Sequence, residues 1–153
     1  MTMVALLLFL HLAAAVVWVG GMFFAYMALR PVAASVLEPP QRLTLWAGVF
    51  DKFFPWVWAS VALILLTGLH MLMVFGGMAA PHYALAMLVL GVLMMVIFAH
   101  VFFAPYKKLK RAVAAQDWKA GGAALAQIRM LIGINLSLGL LTIAVVFLGR
   151  ALA

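Results

Sequence analysis

The 153-residue chain contains no cysteine, which excludes disulfides, thiolate metal centres and cysteine nucleophiles. Acidic residues are nearly missing as well: three Asp and Glu stand against ten Lys and Arg. Charged side chains make up 8% of the chain, where a soluble domain carries about 25%. With 70% hydrophobic residues and a mean hydropathy of +1.27, too little polar side chain remains to cover a soluble globule. An ordinary soluble enzyme, a disordered chain and a nucleic-acid binder are thereby excluded. The net charge of +7 is a topology signal, not a DNA-binding face. No Ser-His-Asp, His-Glu-x-x-His, phosphate-loop or paired-carboxylate pattern occurs, so hydrolase and phosphoryl-transfer chemistry fall away too.

What the chain does contain is long apolar sequence. Four stretches hold no Asp, Glu, Lys or Arg: Val4–Leu29, Pro55–Gly77, His82–Tyr106 and Met130–Gly149. Each suffices to cross a hydrocarbon core of about 30 Å, which takes roughly 20 helical residues. Val4–Leu12 followed by Ala13-Ala14-Ala15 has the look of a signal peptide. However, no Lys or Arg precedes it, and the apolar run continues through Trp18, Phe23 and Phe24, so a membrane span is expected. Nine of the ten basic residues lie between spans 1 and 2 or between spans 3 and 4, leaving Arg150 alone on the other side. The positive-inside rule then places both basic loops in the cytoplasm and both termini outside. Trp46, Phe50, Phe53, Phe54, Trp56, Trp58 and Trp118 gather near the cytoplasmic interface, where aromatic rings prefer to sit.

Within the loops, Glu38-Pro39-Pro40 reads as a helix start, and Gln41–Phe54 as an interfacial helix leading into span 2. Pro105 is expected to kink or end span 3. A basic amphipathic segment over Lys107–Ala115 follows, with a break at Gly121-Gly122. The expected architecture is all-α, one transmembrane domain over residues 1–153 built as an antiparallel four-helix bundle.

His11, His70 and His100 are the conventionally ionisable side chains inside the spans, and a polar group at that depth marks a functional site by default. At 1.5 Å per residue, His11 and His70 each lie roughly 10 Å below the outer face, at matching height on antiparallel helices. Two such histidines can supply opposed axial ligands to a haem iron. His100, roughly 27 Å down, lies toward the cytoplasmic side, and His82 sits at the outer interface. Methionine offers a second chemistry. Among 11 Met, Met71, Met73 and Met78 stand beside His70 and His82, with Met1 and Met3 also on the outer side. Thioether with imidazole suits Cu(I), and His70-x-x-Met73 places both groups on one helix face.

The stretch from Leu10-His11-Leu12 to Trp18-Val19-Gly20-Gly21 resembles the opening helix of the CopD-like (copper resistance protein D) membrane proteins, with an H-x6-W-x-G pattern. Leu66-Thr67-Gly68-Leu69 is similar to the second-helix T-G motif. His100–Pro105, Gln127-Ile128-Arg129 and Ile134-Asn135-Leu136 with Leu138-Gly139-Leu140-Leu141 resemble the family's third and fourth helices. More distantly, the pattern is similar to HemJ-type haem-binding four-helix membrane proteins, whose first- and third-helix histidines are matched by His11 and His100. Those proteins also carry a Lys early in the third helix. Pro81–Met95 has none, and protoporphyrinogen oxidation is not expected on that account. The resemblance implies a multi-pass protein of the bacterial inner membrane.

Two functional readings follow. In the first, the protein binds haem b and transfers electrons, exchanging them with quinone or a periplasmic redox partner. Its axial ligands are then His11 with His70 or His100, and Trp18 lines the pocket. In the alternative, it is a CopD-like copper transport or resistance protein that takes copper through outer-face His and Met side chains, His70, Met71 and Met73 among them. A structural subunit whose histidines are merely hydrogen-bonded is the third possibility. A homodimer is left open.

Overall fold

The computed structural model describes residues 2–152, and Met1 lies outside them. Its regular elements are helices α1 (Met3–Phe24), α2 (Arg30–Val36), α3 (Pro39–Val74), α4 (His82–Phe103), α5 (Pro105–Ala114) and α6 (Trp118–Ala151). In a bilayer every backbone polar group needs an internal partner, which a long helix supplies. A π-helical turn, Ala25–Leu29, joins α1 to α2, so that one continuous helix runs from Met3 to Val36. Pro31 explains its position. A proline ring in a regular helix presses on the carbonyl four residues earlier, and the widened turn lies directly before it.

The ends are capped as the side chains allow. Thr2 Oγ1 accepts from the Ala5 amide at 3.3 Å, and Glu38 with Gln41 forms a reciprocal capping box at the start of α3. Helix α3 then runs unbroken through Pro55, so the expected interfacial helix and span 2 are one element. Pro105 behaves as expected: span 3 stops at Phe103, and the proline opens α5. The break expected at Gly121-Gly122 falls earlier, at Gln116 and Asp117. Gln116 takes a left-handed φ of 54°, and the Asp117 carboxylate accepts from the Ala120 amide at 3.1 Å to start α6. An aspartate N-cap outcompetes two glycines as a helix boundary.

Four helical stretches, Met3–Val36, Pro39–Val74, His82–Ala114 and Trp118–Ala151, are long and apolar enough to cross a membrane. They form the expected all-α antiparallel bundle. Helix α1 packs along α3, and α4 along α6, while α5 folds back on α6. At 34 residues, the first stretch measures about 50 Å, well beyond the hydrocarbon core.

Packing is lopsided along this length. An aromatic core fills the end that carries the basic loops. There Phe54 stacks on Phe50 with centroids 4.9 Å apart and meets Tyr106 and Phe98 edge-on at 4.8 and 5.3 Å. Trp18 is 2% exposed and packs edge-on against Phe98 at 6.2 Å. At the opposite end, where the chain termini lie, Ala80 is buried but no other residue in 3–13, 68–93 or 140–152 is. The bundle has a closed basic end and an open terminal end.

Asp51 ties α3 to α5 at the closed end. It accepts from Tyr106 Oη at 3.0 Å and pairs with Lys110 Nζ at 2.9 Å. Both ionic partners are half exposed, and exposed pairs contribute little. Asp51→Asn should therefore move the thermal unfolding midpoint in detergent only slightly. A large drop would show that the aromatic core depends on this contact.

Candidate functional site

The open end holds most of the ligand-type side chains that the sequence singles out. His11 on α1 faces α3, with its Nδ1 2.9 Å from Thr67 Oγ1. Thr67 is buried, and its hydroxyl donates to the Leu63 carbonyl one turn back on the same helix. A hydroxyl has a single proton to give. With that proton given to Leu63, the arrangement suits the tautomer in which His11 carries its proton on Nδ1 and Oγ1 accepts it. Its Nε2 then keeps a free lone pair. This is the tautomer in which a histidine ligates a metal while a second group holds the ring in place.

Gly68 completes the seat. A Cβ built there would stand 3.2 Å from His11 Cε1, so any larger residue would push the ring or α3 back by a few tenths of an ångström. Met71 lies one turn beyond Thr67 on the same face of α3 and is half-buried.

The other expected site residues are not drawn into this seat. His70 and Met73 are exposed at the end of α3, Met73 at 76%. His82 and Met78 are exposed at the rim of the open end, and Met3 is exposed at the start of α1. His100 is exposed in the last turn of α4, toward the closed end. Among the described residues no three His, Asp or Glu side chains gather closely enough to hold a metal ion.

These positions give a haem no support. The α1–α3 seam packs Gly68 against the edge of the His11 ring. Beside Trp18 the bundle encloses only about 30 Å³, room for a water or two. Trp18 is a core residue, packed on Phe98 and lining that small cavity together with Met22 and Asn135.

Thr67 is the residue whose role sequence reasoning missed. A signal was available, since His11 and His70 share a depth and Thr67 lies one turn from His70 on the adjoining helix. Asn135 was likewise read only as part of a motif. It is 3% exposed, its Nδ2 donates to the Met94 carbonyl at 3.2 Å, and its Oδ1 has no partner.

Fold and site define the class: a multi-pass membrane protein whose helices form a bundle in a lipid bilayer, with the His11 imidazole hydrogen-bonded between two of them. The family model described as CopD, copper resistance protein D, matches residues 47–148, two thirds of the chain, and the protein belongs to that family. The matched segment includes Thr67, Gly68, Met71, His100 and Asn135, while His11 and Trp18 precede it. No curated protein and no solved structure was found to match the chain.

Proposed function

We propose that the protein handles copper at the membrane, as a transport or resistance component, and takes up Cu(I) as its cargo at the open end of the bundle. One observation carries the reading: the His11–Thr67 hydrogen bond leaves Nε2 of a membrane-embedded histidine free to ligate. Membership of the copper resistance protein D family supports it. His11 is the nitrogen ligand, and the Met71 thioether on the adjoining face of α3 is the soft partner that such an ion prefers. His70, Met73, Met78 and His82, exposed around the rim, form an outer ring for capture before the ion reaches the seat. In this reading the basic loops face the cytoplasm of a bacterial inner membrane and the open end faces out.

The test is a Cu(I) titration of the purified protein in detergent against a competing chelator, with X-ray absorption at the copper edge. The expected result is stoichiometric binding with nitrogen and sulfur in the first coordination sphere. Met71→Leu should weaken affinity by about tenfold, as one soft ligand is lost. Absence of binding, or a coordination sphere of oxygen alone, would sink the proposal.

A further inference from the structure

The larger of the two cavities lies at the closed end, away from the His11 seat, and shares Phe50 with the aromatic core. It measures about 290 Å³ and is formed where the π-helical turn, the start of α3 and the start of α6 converge. Three arginines line it, Arg30, Arg42 and Arg129, and no carboxylate does. We infer that this pocket binds a phosphate oxyanion, carried either by the headgroup of an anionic phospholipid or by a soluble phosphate.

The charge balance comes first. The chain has only three acidic residues, and each is engaged elsewhere. Asp51 takes Lys110, Glu38 caps α3 and Asp117 caps α6. Three guanidinium groups therefore share one pocket with no counter-charge from the protein's own side chains. Guanidinium forks match phosphate oxygens in pairs, and an arginine cluster of this kind calls for an anion from outside the chain.

Arg30 is also positioned for that role. Its guanidinium lies 4.3 Å from the Tyr26 ring centroid, a cation–π contact. Tyr26 in turn fits against Gly133 of α6, where an added Cβ would come within 3.1 Å of the ring. Ala25 and Tyr26 belong to the π-helical turn, a distortion that recurs at functional sites. Here it sets the pocket wall.

The remaining lining favours the lipid as source. Trp46 and Trp118, residues of the kind that lie at headgroup level, stand beside Leu43, Leu125 and Ile132. A phosphodiester on the arginines would leave apolar wall for the first carbons of its acyl chains. Basic pockets between spanning helices are suited to such headgroups.

The experiment uses the full chain in nanodiscs of phosphatidylcholine with a minority of phosphatidylglycerol, followed by lipid extraction after delipidating washes. Wild type should retain phosphatidylglycerol, and R30Q/R42Q/R129Q should retain roughly tenfold less, in line with the loss of paired charge-assisted bonds. The control K108Q/K119Q removes exposed basic residues outside the pocket and should retain as much as wild type. R42Q and R129Q singly keep the test usable if the triple variant loses its helical circular dichroism. A parallel arm titrates inorganic phosphate onto the protein in pure phosphatidylcholine discs and follows thermal stability. Protection by phosphate, lost in the arginine variants and without phosphatidylglycerol retention, assigns the site to a soluble phosphate. Equal retention in wild type and arginine variants, or equal loss in the lysine control, together with no phosphate protection, overturns the inference.

Discussion

His11→Ala should lower Cu(I) affinity by more than about a hundredfold, beyond the range expected for loss of an orienting partner alone. The graded series around it is the sharper test. Thr67→Val keeps the shape of the side chain but removes the oxygen that receives the imidazole proton, leaving the ring free to turn and to exchange tautomers. Loss of such an orienting partner costs about 10–100-fold in metal affinity. Thr67→Ser retains the hydroxyl and should recover most of it. A competition titration on the four proteins reads the order directly: wild type and Thr67→Ser tight, Thr67→Val weaker, His11→Ala weakest. If Thr67→Val bound as wild type does, the hydrogen bond from His11 would be a packing contact, and the site would have to be sought elsewhere on the open end.

The second large effect is on stability. Phe54 is 3% exposed and touches Phe50, Phe98, Phe102 and Tyr106 with ring centroids within 6.2 Å. These rings come from α3, α4 and α5, so one side chain fastens three elements. Between helices in lipid, packing and not water exclusion supplies the attraction, and aromatic pairs add to it through their ring quadrupoles. Phe54→Ala should therefore cost about 3–5 kcal/mol, as phenylalanine deletions in close-packed interiors do. Phe23 provides the contrast. It is 51% exposed on α1, faces outward from the bundle, and its alanine variant should lie within about 0.5 kcal/mol of wild type. Unfolding in mixed micelles with rising SDS would compare the two. Similar losses for both would contradict a core confined to the basic end.

Much of this fold was legible before any coordinates. Four uncharged runs identify four spans because no other composition survives in hydrocarbon, and Pro105 marks a real break because its ring forbids the preceding helix from continuing. The boundary at Gly121-Gly122 was misplaced for an equally physical reason. Glycine lowers helix stability without abolishing the helix, whereas Asp117 supplies an acceptor for the Ala120 amide and defines the start of α6. The site was half legible. His11 stands out because imidazoles are rare in apolar sequence. Its partner is a threonine, a residue common in spanning helices, and its choice depends on how α1 and α3 rotate against each other. An apolar helix does not announce that rotation, since every face is apolar. The same indifference hid the arginine pocket. Arg30, Arg42 and Arg129 read as topology markers, and their convergence became visible only once the π-helical turn and α6 were placed side by side.

That π-helical turn has a consequence for how the chain tolerates change in length. A π turn accommodates one residue more than the regular spiral needs, as the bond from the Arg30 amide to the Ala25 carbonyl shows. Deleting any one residue between 25 and 29 would leave an ordinary, perfectly acceptable α-helix. Because the widened turn absorbs the extra residue, the helix on either side would keep nearly its present faces, Ala33 its buried position included, and the loss would fall on the bulged wall that sets Tyr26 beside Arg30. The extra residue is thus an insertion absorbed locally, which shapes that wall and leaves the two stretches of the helix in phase.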